Sequence, residues 1–254
     1  MKTFIFGLSA VTLMLSNITF AQPTTQSLTG TYVFYEEGAS VSQQIASIAT
    51  VNFSTGGSVA GTRYWRSPGN SYKSNLIGAY STNPDGTLTL AMTAATMPID
   101  GSDPVTFKVN YQLILPKSKS QTINAIRTDN GYFTIAKLIP AAAPGTLKGS
   151  FLFSEHGNGA PYVGLGQLNL DGTNNIAGYE RVESIGVNTI YTLTGNYSVG
   201  SDGFGTFTLN IPGVDPDGNP TVTPTNYIFL NGADQIYAIR TDASTAFISN
   251  LSAL

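Results

Sequence analysis

Two arginines in identical surroundings are the most specific polar feature of the chain. Arg127 lies in the pentapeptide Ala-Ile-Arg-Thr-Asp, and the same pentapeptide recurs around Arg240. A guanidinium group near the end of a strand could bind a carboxylate ligand through two parallel hydrogen bonds. It could equally pair with Asp129 or Asp242 of its own pentapeptide, or stack on an aromatic ring of the first strand. Because both copies are identical, the sequence favours the structural role over a binding role for these arginines.

An aromatic and basic cluster is the second candidate site. It consists of Tyr64, Trp65 and Arg66, with Tyr72 shortly after them. Flat rings beside adaptable polar loops suit sugars and other small ligands with apolar faces. If this segment is a strand, however, Tyr64 and Arg66 share one face and Trp65 lies on the other, so only one of these faces can point inward. Together with Arg127 and Arg240, these four residues form the predicted ligand-binding set.

The residue types needed for catalysis or metal binding are sparse. His156 is the only histidine, and a hydrolytic triad needs a histidine that a carboxylate holds against a nucleophile. A lone histidine in a chain without cysteine also argues against a zinc site. Two Asp-Gly loops, at 100–103 and 215–219, are oxygen-rich but lack the ligand spacing of known calcium loops. We therefore expect no enzymatic activity, no metal and no cofactor.

An internal repeat supplies the elements that position these residues. The segment Leu28–Phe34 returns as Leu147–Phe153, and the two arginine pentapeptides close the series, at a spacing of about 113 to 119 residues. The order and spacing of the matching segments agree throughout, which indicates duplication of a whole domain. A small, turn-prone segment at 140–145 joins the two copies. The predicted boundaries are 22–140 for the first repeat and 141–254 for the second.

Each repeat shows the period of two that is typical of strands, with Asp-Gly and Asn-Gly turns between the apolar segments. The predicted strands of the first copy lie near 29–36, 45–54, 57–66, 72–83, 86–93, 105–115, 120–128 and 132–139. Those of the second lie near 148–155, 162–171, 174–184, 187–199, 204–211, 224–231, 234–241 and 245–251. Eight antiparallel strands in meander order close into a barrel that holds packed side chains or one small ligand. The fold class is therefore all-β, with two tandem eight-stranded up-and-down barrels.

The loop lengths predict which end of each barrel is open. In the first copy, the connections after the first, third and fifth strands are predicted to be longer than those after the second, fourth and sixth. The fifth loop spans about 94–104 in the first copy and 212–223 in the second. Odd-numbered connections all lie at one end of a meander, so that end is predicted to form the mouth of the barrel.

Composition and the first residues indicate the compartment. A lysine, an apolar segment over Phe4–Leu15 and the small-x-small pattern Thr19-Phe20-Ala21 predict a removed signal peptide at 1–21 and export from the cell. The absence of cysteine means that an exported chain must rely on its hydrophobic core for stability. A net charge of −3, with 11% charged residues, argues against a nucleic-acid partner.

The chain resembles the calycin group, the lipocalin and avidin-type barrels. Gly30-Thr31-Tyr32 and Gly149-Ser150-Phe151 stand where those families carry Gly-x-Trp on the first strand, and 171–208 is similar to a streptavidin-type meander. The resemblance implies a barrel with a ligand cup, no catalysis and the binding of small molecules. Avidin-type biotin cups use several tryptophans, whereas this chain has only Trp65, so no biotin site is carried over.

Three hypotheses for the function follow from these patterns. The first is an exported double barrel that binds a small apolar or amphipathic molecule in its mouth. The second is a structural or surface-interaction protein with filled barrels, whose loops contact a protein or a glycan. The third is a single sixteen-stranded outer-membrane barrel, which the polar side chains on the outward faces of the strands disfavour. The sequence favours the first.

Overall fold

The computed structural model describes residues 27–67, 70–98, 105–116, 122–143, 145, 147–157, 161–242 and 246–254. The predicted signal peptide at 1–21 and the oxygen-rich loop at 100–103 lie outside the described residues. The described part of the chain is entirely β-strand and turn, which confirms the predicted all-β class.

Sixteen strands follow one another along the chain. The first eight are β1 (Gly30–Ser40), β2 (Gln44–Phe53), β3 (Ser58–Ser67), β4 (Asn70–Thr82), β5 (Leu88–Pro98), β6 (Val105–Ile114), β7 (Ile123–Arg127) and β8 (Tyr132–Pro140). The second eight are β9 (Lys148–Gly157), β10 (Tyr162–Asp171), β11 (Asn175–Ser184), β12 (Val187–Val199), β13 (Phe204–Val214), β14 (Pro220–Asn231), β15 (Ile236–Arg240) and β16 (Phe247–Ala253).

The strands close into two separate barrels. Within each barrel, every strand is antiparallel to its neighbour in sequence, and the first strand also pairs with the last, β1 with β8 and β9 with β16. The prediction of two tandem eight-stranded up-and-down barrels is confirmed. The alternative of one sixteen-stranded barrel is wrong, because the hydrogen bonds from β8 to β1 and from β16 to β9 close each ring within its own repeat.

Alternation along the strands divides each barrel wall into an inner and an outer face. In the first barrel, Phe34, Leu90 and Tyr111 point inward and belong to one buried apolar cluster. In the second barrel, Phe153, Phe207 and Tyr227 occupy the corresponding interior. The end of the first barrel where β2, β4 and β6 terminate is packed with Tyr32, Phe53 and other apolar side chains, so that end forms a closed floor.

The predicted difference in loop length between the two ends is wrong. The connection after β1 spans only 41–43, whereas those after β2 and β4 span 54–57 and 83–87. The expected long loop at 212–223 is mostly strand, because β13 and β14 remain paired as far as Val214 and Pro220. Its tip is a tight turn in which the Asp215 carboxylate accepts hydrogen bonds from the backbone N–H groups of Asp217 and Asn219.

The two barrels share an apolar interface. It joins outward side chains of β1 and β2, such as Val33 and Ile48, to outward side chains of β15 and β16, such as Ile239 and Ile248. Strand β1 is therefore buried on both faces over five consecutive residues, which explains its continuous apolar run. The segment after β8 adds backbone hydrogen bonds, since the N–H of Ala142 donates to the carbonyl of Asn231.

Candidate functional site

A buried ion cluster lies inside the first barrel, between its apolar core and its open end. The Glu36 carboxylate on β1 is fully buried, and Arg63 of β3 donates to its Oε2 atom at 2.5 Å. Arg127 of β7 places its Nη1 atom 3.6 Å from the other oxygen of Glu36. Arg127 also donates from Nε to Asp129 at 2.8 Å, which fixes its guanidinium group at the end of the strand.

Hydroxyl groups complete the shell of Glu36. Ser47 donates to Oε2 at 3.0 Å and Thr134 donates to Oε1 at 2.7 Å. Burial raises the pKa of Glu36, but the charges of Arg63 and Arg127 and the hydroxyl donors outweigh it, so its pKa lies below the ordinary value. The carboxylate is therefore ionised, and it is surrounded by the two guanidinium groups and by the hydroxyls of Ser47, Thr134 and Tyr111.

A cavity of about 320 Å³ lies above this cluster, at the end where the odd-numbered strands terminate. This volume is within the range of small-molecule sites. Aromatic and aliphatic side chains form most of its wall, and Arg63, Arg127, Gln43 and Thr96 supply the polar part. The lining residues are Gln43, Ile45, Arg63, Trp65, Tyr72, Thr96, Val105, Phe107, Arg127 and Tyr132.

The aromatic rings of the cavity are held by one another. Trp65 stacks on Tyr72 with ring centroids 4.3 Å apart, and Phe107 meets the edge of Trp65 at 6.0 Å. Across the cavity wall, the guanidinium carbon of Arg127 lies 3.5 Å from the ring centre of Tyr132. Contacts of this kind fix the orientation of large side chains and keep the shape of the cavity open.

Two buried donors of this wall have no acceptor. The Nε–H of Arg63 and the indole N–H of Trp65 are buried, and neither has a hydrogen-bond partner within the described residues. A buried donor without an acceptor costs free energy comparable to a lost hydrogen bond. An acceptor oxygen that reached these two groups would satisfy them.

The structure brings together half of the predicted ligand-binding set. Trp65, Tyr72 and Arg127 line the same cavity. Tyr64 points outward on β3 and meets Phe204 of the second barrel edge to face, with centroids 4.7 Å apart. Arg66 is also on the outer face, where it donates to Ser71 at 2.6 Å. The alternation expected for a strand thus divides this cluster between the cavity and the boundary of the barrels.

Arg240 lies in the second barrel, far along the chain from the cavity of the first. It pairs with Asp242 at 2.8 Å, as Arg127 pairs with Asp129. Each arginine therefore pairs with the aspartate of its own pentapeptide, as the structural role predicted from the sequence requires. The stacking partner differs from the expected first-strand aromatic. It is Tyr132 of β8 for Arg127 and Phe247 of β16 for Arg240.

The polar layer of the second barrel has a different charge. The residues that correspond to Glu36 and Arg127 are Glu155 and Arg240, but the position of Arg63 is occupied by Glu180. The inward layer therefore changes from two arginines and one carboxyl group to one arginine and two carboxyl groups. Tyr162, whose hydroxyl donates to Glu180 at 3.4 Å, meets Phe247 edge to face and fills space near the open end of this barrel.

Burial and mutual repulsion raise the pKa values of the two carboxyl groups in this second layer. Burial, followed by the nearby charge of Glu155, raises the pKa of Glu180 to about 8. Burial also raises the pKa of Glu155, although Arg240 partly offsets this effect. The Glu180 carboxyl occupies the space beside Gly164, where an added Cβ would lie within 3 Å of its carboxyl carbon. At neutral pH the pair therefore retains a proton.

The sequence prediction missed Glu36 and Arg63. Each shares its strand with a second charged residue, Glu37 or Arg66, but Glu36 lies on the same inward face as Phe34. A charged residue at an inward position of a predicted barrel strand is the signal that could have identified each of them.

His156 lies at the boundary between the barrels and not in the cavity. Its Nε2 atom is 3.2 Å from a carboxylate oxygen of Glu37, and this hydrogen bond raises the pKa of the imidazole. Among the described residues, no group of three or more His, Cys, Asp and Glu side chains is arranged to hold a metal ion. In the same part of the chain, no helix has the length and apolar character needed to cross a lipid bilayer.

Comparisons with known proteins leave the family open. No family model and no curated protein matches the chain. Among solved structures, the chain is similar to kievitone hydratase from Nectria haematococca, with 9% sequence identity and a TM-score of 0.25. The alignment covers 91% of this chain and 89% of that chain. A similarity at this level supports no inference about function.

Proposed function

We propose that this chain is an exported, non-enzymatic protein that binds one small amphipathic molecule in the mouth of its first barrel, in the manner of a calycin. The observation that carries the proposal is the cavity of about 320 Å³ with aromatic walls and two donors without acceptors. The apolar part of the ligand would lie between the rings of Trp65, Tyr72 and Phe107. Its acceptor oxygens would face Arg63 and the indole N–H of Trp65.

The state of Glu36 supports a binding role over catalysis. A general base needs a lone pair that can accept a proton from the substrate. Both oxygens of Glu36 are already engaged by Arg63, Arg127, Ser47 and Thr134, and its lowered pKa makes it a weak base. In this proposal Glu36 holds the two guanidinium groups in place, and the guanidinium groups form the polar end of the cavity.

The proposal assigns the binding site to one barrel. At the position of Thr134 in the first barrel the second barrel has Phe247, and at the position of Ile45 it has Tyr162. These two rings occupy the corresponding end of the second barrel, beside an acidic layer. We therefore expect one ligand per chain, and the second barrel acts as a structural copy.

Titration with two simple probes tests this proposal. The probes are 2-naphthoate and 2-naphthol, which share a flat apolar body and carry a charged or a neutral oxygen head. Trp65 is the only tryptophan, so its fluorescence reports directly on the cavity wall. We expect saturable quenching by at least one probe, with a stoichiometry of one per chain by calorimetry.

Val105→Phe provides the blocking variant and Val222→Phe the control. Val105 lines the cavity, whereas Val222 is an exposed valine of the second barrel. Added volume in the cavity should weaken the binding about tenfold or more, because the probe and the new ring compete for the same space. The proposal fails if neither probe gives saturable quenching, or if Val105→Phe and Val222→Phe bind the probes equally well.

A further inference from the structure

The interface between the two barrels joins unlike surfaces. We call the outer side of a barrel's first three strands its leading face, and the outer side of its last three strands its trailing face. The leading face of the first barrel contacts the trailing face of the second. The leading-face residues are Val33, Tyr35, Ala46 and Ile48, and the trailing-face residues are Leu230, Tyr237, Ile239, Ala246 and Ile248. Each is no more than 4% exposed.

The remaining two faces are apolar at the equivalent positions but exposed. The repeat assigns Leu152 to the position of Val33, because each precedes the inward phenylalanine of its first strand. It assigns Ile126 to the position of Ile239, because each precedes the arginine of its pentapeptide. The exposed residues are Leu152, Val163, Leu165 and Tyr179 on the leading face of the second barrel, and Ile114, Ile126, Phe133 and Ile135 on the trailing face of the first. These eight side chains are 42% to 74% exposed.

Both exposed faces are concave enough to receive side chains. The trailing face of the first barrel has a groove of about 280 Å³ whose apolar wall includes Ile114, Ile126 and Ile135. The leading face of the second barrel has a groove of about 340 Å³ whose wall includes Leu152, Val163 and Leu165. Apolar patches that persist on the surface of a folded chain are characteristic of interaction sites.

Two residues that touch across the internal interface are both replaced at the equivalent positions of the exposed faces. Tyr35 and Tyr237 are in contact, with ring centroids 5.2 Å apart. Their counterparts on the two exposed faces are Ser154 and Asn124, which are both polar. A contact of the same type between the exposed faces would place polar atoms opposite polar atoms wherever the internal interface has ring against ring.

A second such exchange involves Tyr64 and Phe204. Their rings lie 4.7 Å apart across the internal interface. The counterparts are Arg181 and Thr87, and both line the grooves of the exposed faces. In the same register as the buried faces, the exposed faces therefore place apolar side chains opposite apolar ones, and the polar pairs replace the two ring contacts.

We propose that a second copy of this chain covers these faces, with the trailing face of one first barrel seated on the leading face of the partner's second barrel. A single chain cannot make this contact, because the two complementary faces lie on different barrels and the internal interface holds those barrels together. An interface between unlike faces repeats in the same direction from chain to chain. Two chains that make the contact twice form a closed ring of four barrels, and continued addition forms a filament.

Sedimentation velocity of the full chain and two charge variants tests this contact. Ile126→Glu places a charge on the trailing face of the first barrel, and Leu165→Glu places one on the leading face of the second. Ile77→Glu is the control, because Ile77 is 65% exposed on β4 and belongs to neither face. We expect the wild type and the control to associate reversibly at concentrations up to about 100 µM, and each charge variant to have a dissociation constant raised about tenfold or more.

Mixing the two charge variants identifies the geometry. Each variant retains one intact face, and the intact faces are complementary, so an equimolar mixture should form a one-to-one pair that neither variant forms alone. If either variant alone dimerises as strongly as the wild type, the contact joins like faces and the proposal is wrong. A wild type that remains a single chain at about 100 µM also overturns it.

A gain of affinity provides an independent check. At the edge of the internal interface the charge of Arg66 lies beside Asp242, and the equivalent residues on the exposed faces are Glu183 and Asp129. Glu183→Arg would replace a like-charge pair with an opposite-charge pair and should tighten the association several-fold at low salt. An unchanged or weaker association of Glu183→Arg would contradict the proposed register.

Discussion

Glu180→Gln should stabilise the protein at alkaline pH and leave it unchanged at acidic pH. Glu180 is buried in the second barrel close to Glu155, and these two effects raise its pKa to about 8. In the unfolded chain the same carboxyl has its ordinary pKa of 4.5. Between these two values the folded protein binds a proton that the unfolded chain does not bind, so the stability falls as the pH rises.

The magnitude follows from the width of this pH window. Each pH unit corresponds to about 1.4 kcal/mol for one proton, so a rise from about pH 5 to about pH 8 costs up to about 4 kcal/mol. Above the folded pKa the loss is complete and the stability no longer depends on this group. Glutamine keeps the shape of the side chain and can accept the hydrogen bond from Tyr162, but it carries no charge at any pH.

Urea unfolding at about pH 5 and about pH 8.5 measures the effect. Circular dichroism follows the strands of both barrels, and the fluorescence of Trp65 follows the first barrel alone. We expect the free energy of unfolding of the wild type to fall by about 2 to 4 kcal/mol from the lower to the higher pH. In the variant, most of this fall should be absent. His156 has a raised pKa and contributes a decline of the same sign, but it is present in both proteins and cancels in the comparison.

The reasoning is refuted if Glu180→Gln has the same dependence on pH as the wild type. It is also refuted if the variant is less stable than the wild type at about pH 8.5, because the carboxylate would then be a favourable charge in the folded state.

Two further substitutions test the contrast between the barrels. Glu36→Gln should destabilise the first barrel by about 3 to 5 kcal/mol at neutral pH, because it leaves Arg63 and Arg127 buried without their shared anion. Urea unfolding followed by Trp65 fluorescence measures this loss, and a variant as stable as the wild type would contradict the role assigned to Glu36. Gly164→Ala should destabilise the second barrel by about 1 to 3 kcal/mol, since the new Cβ displaces the Glu180 carboxyl. Thermal unfolding followed by circular dichroism measures this change in stability, and an unchanged midpoint would show that the space beside Gly164 is not filled.

The fold could be predicted because a barrel strand has a local signature. Alternation of apolar and polar residues, Asp-Gly turns and the repeated pentapeptide each depend on a few neighbouring residues, and the predicted strands agree closely with the observed ones. The ends of strands were less accurate where pairing continued into a predicted loop. At 212–223, for example, β13 and β14 extend the hairpin through residues that contain prolines and glycines.

The candidate site could be predicted only in part, because it depends on contacts between distant strands. Glu36 and Arg63 meet because β1, β2 and β3 are aligned in a particular register, and Arg127 reaches them only after the barrel closes. No short motif encodes that meeting. Tyr64 and Arg66 illustrate the opposite error. They resemble a binding cluster in sequence but form part of the boundary between the barrels.

The interface between the barrels could also be predicted from the sequence of the first strand. Residues 32–35 are apolar or aromatic without alternation, which is typical of a strand that is buried on both faces. In a single eight-stranded barrel one face of each strand contacts solvent, so a continuous apolar run indicates a neighbour outside the barrel.

Native mass spectrometry of the protein purified from its own host tests the binding claim most directly. The account predicts one non-covalent small molecule per chain, which is released on denaturation and is lost in Val105→Phe but kept in Val222→Phe. A wild-type protein with no added mass that also fails to bind 2-naphthoate and 2-naphthol would contradict the account. Two bound molecules per chain would contradict the assignment of the site to the first barrel alone.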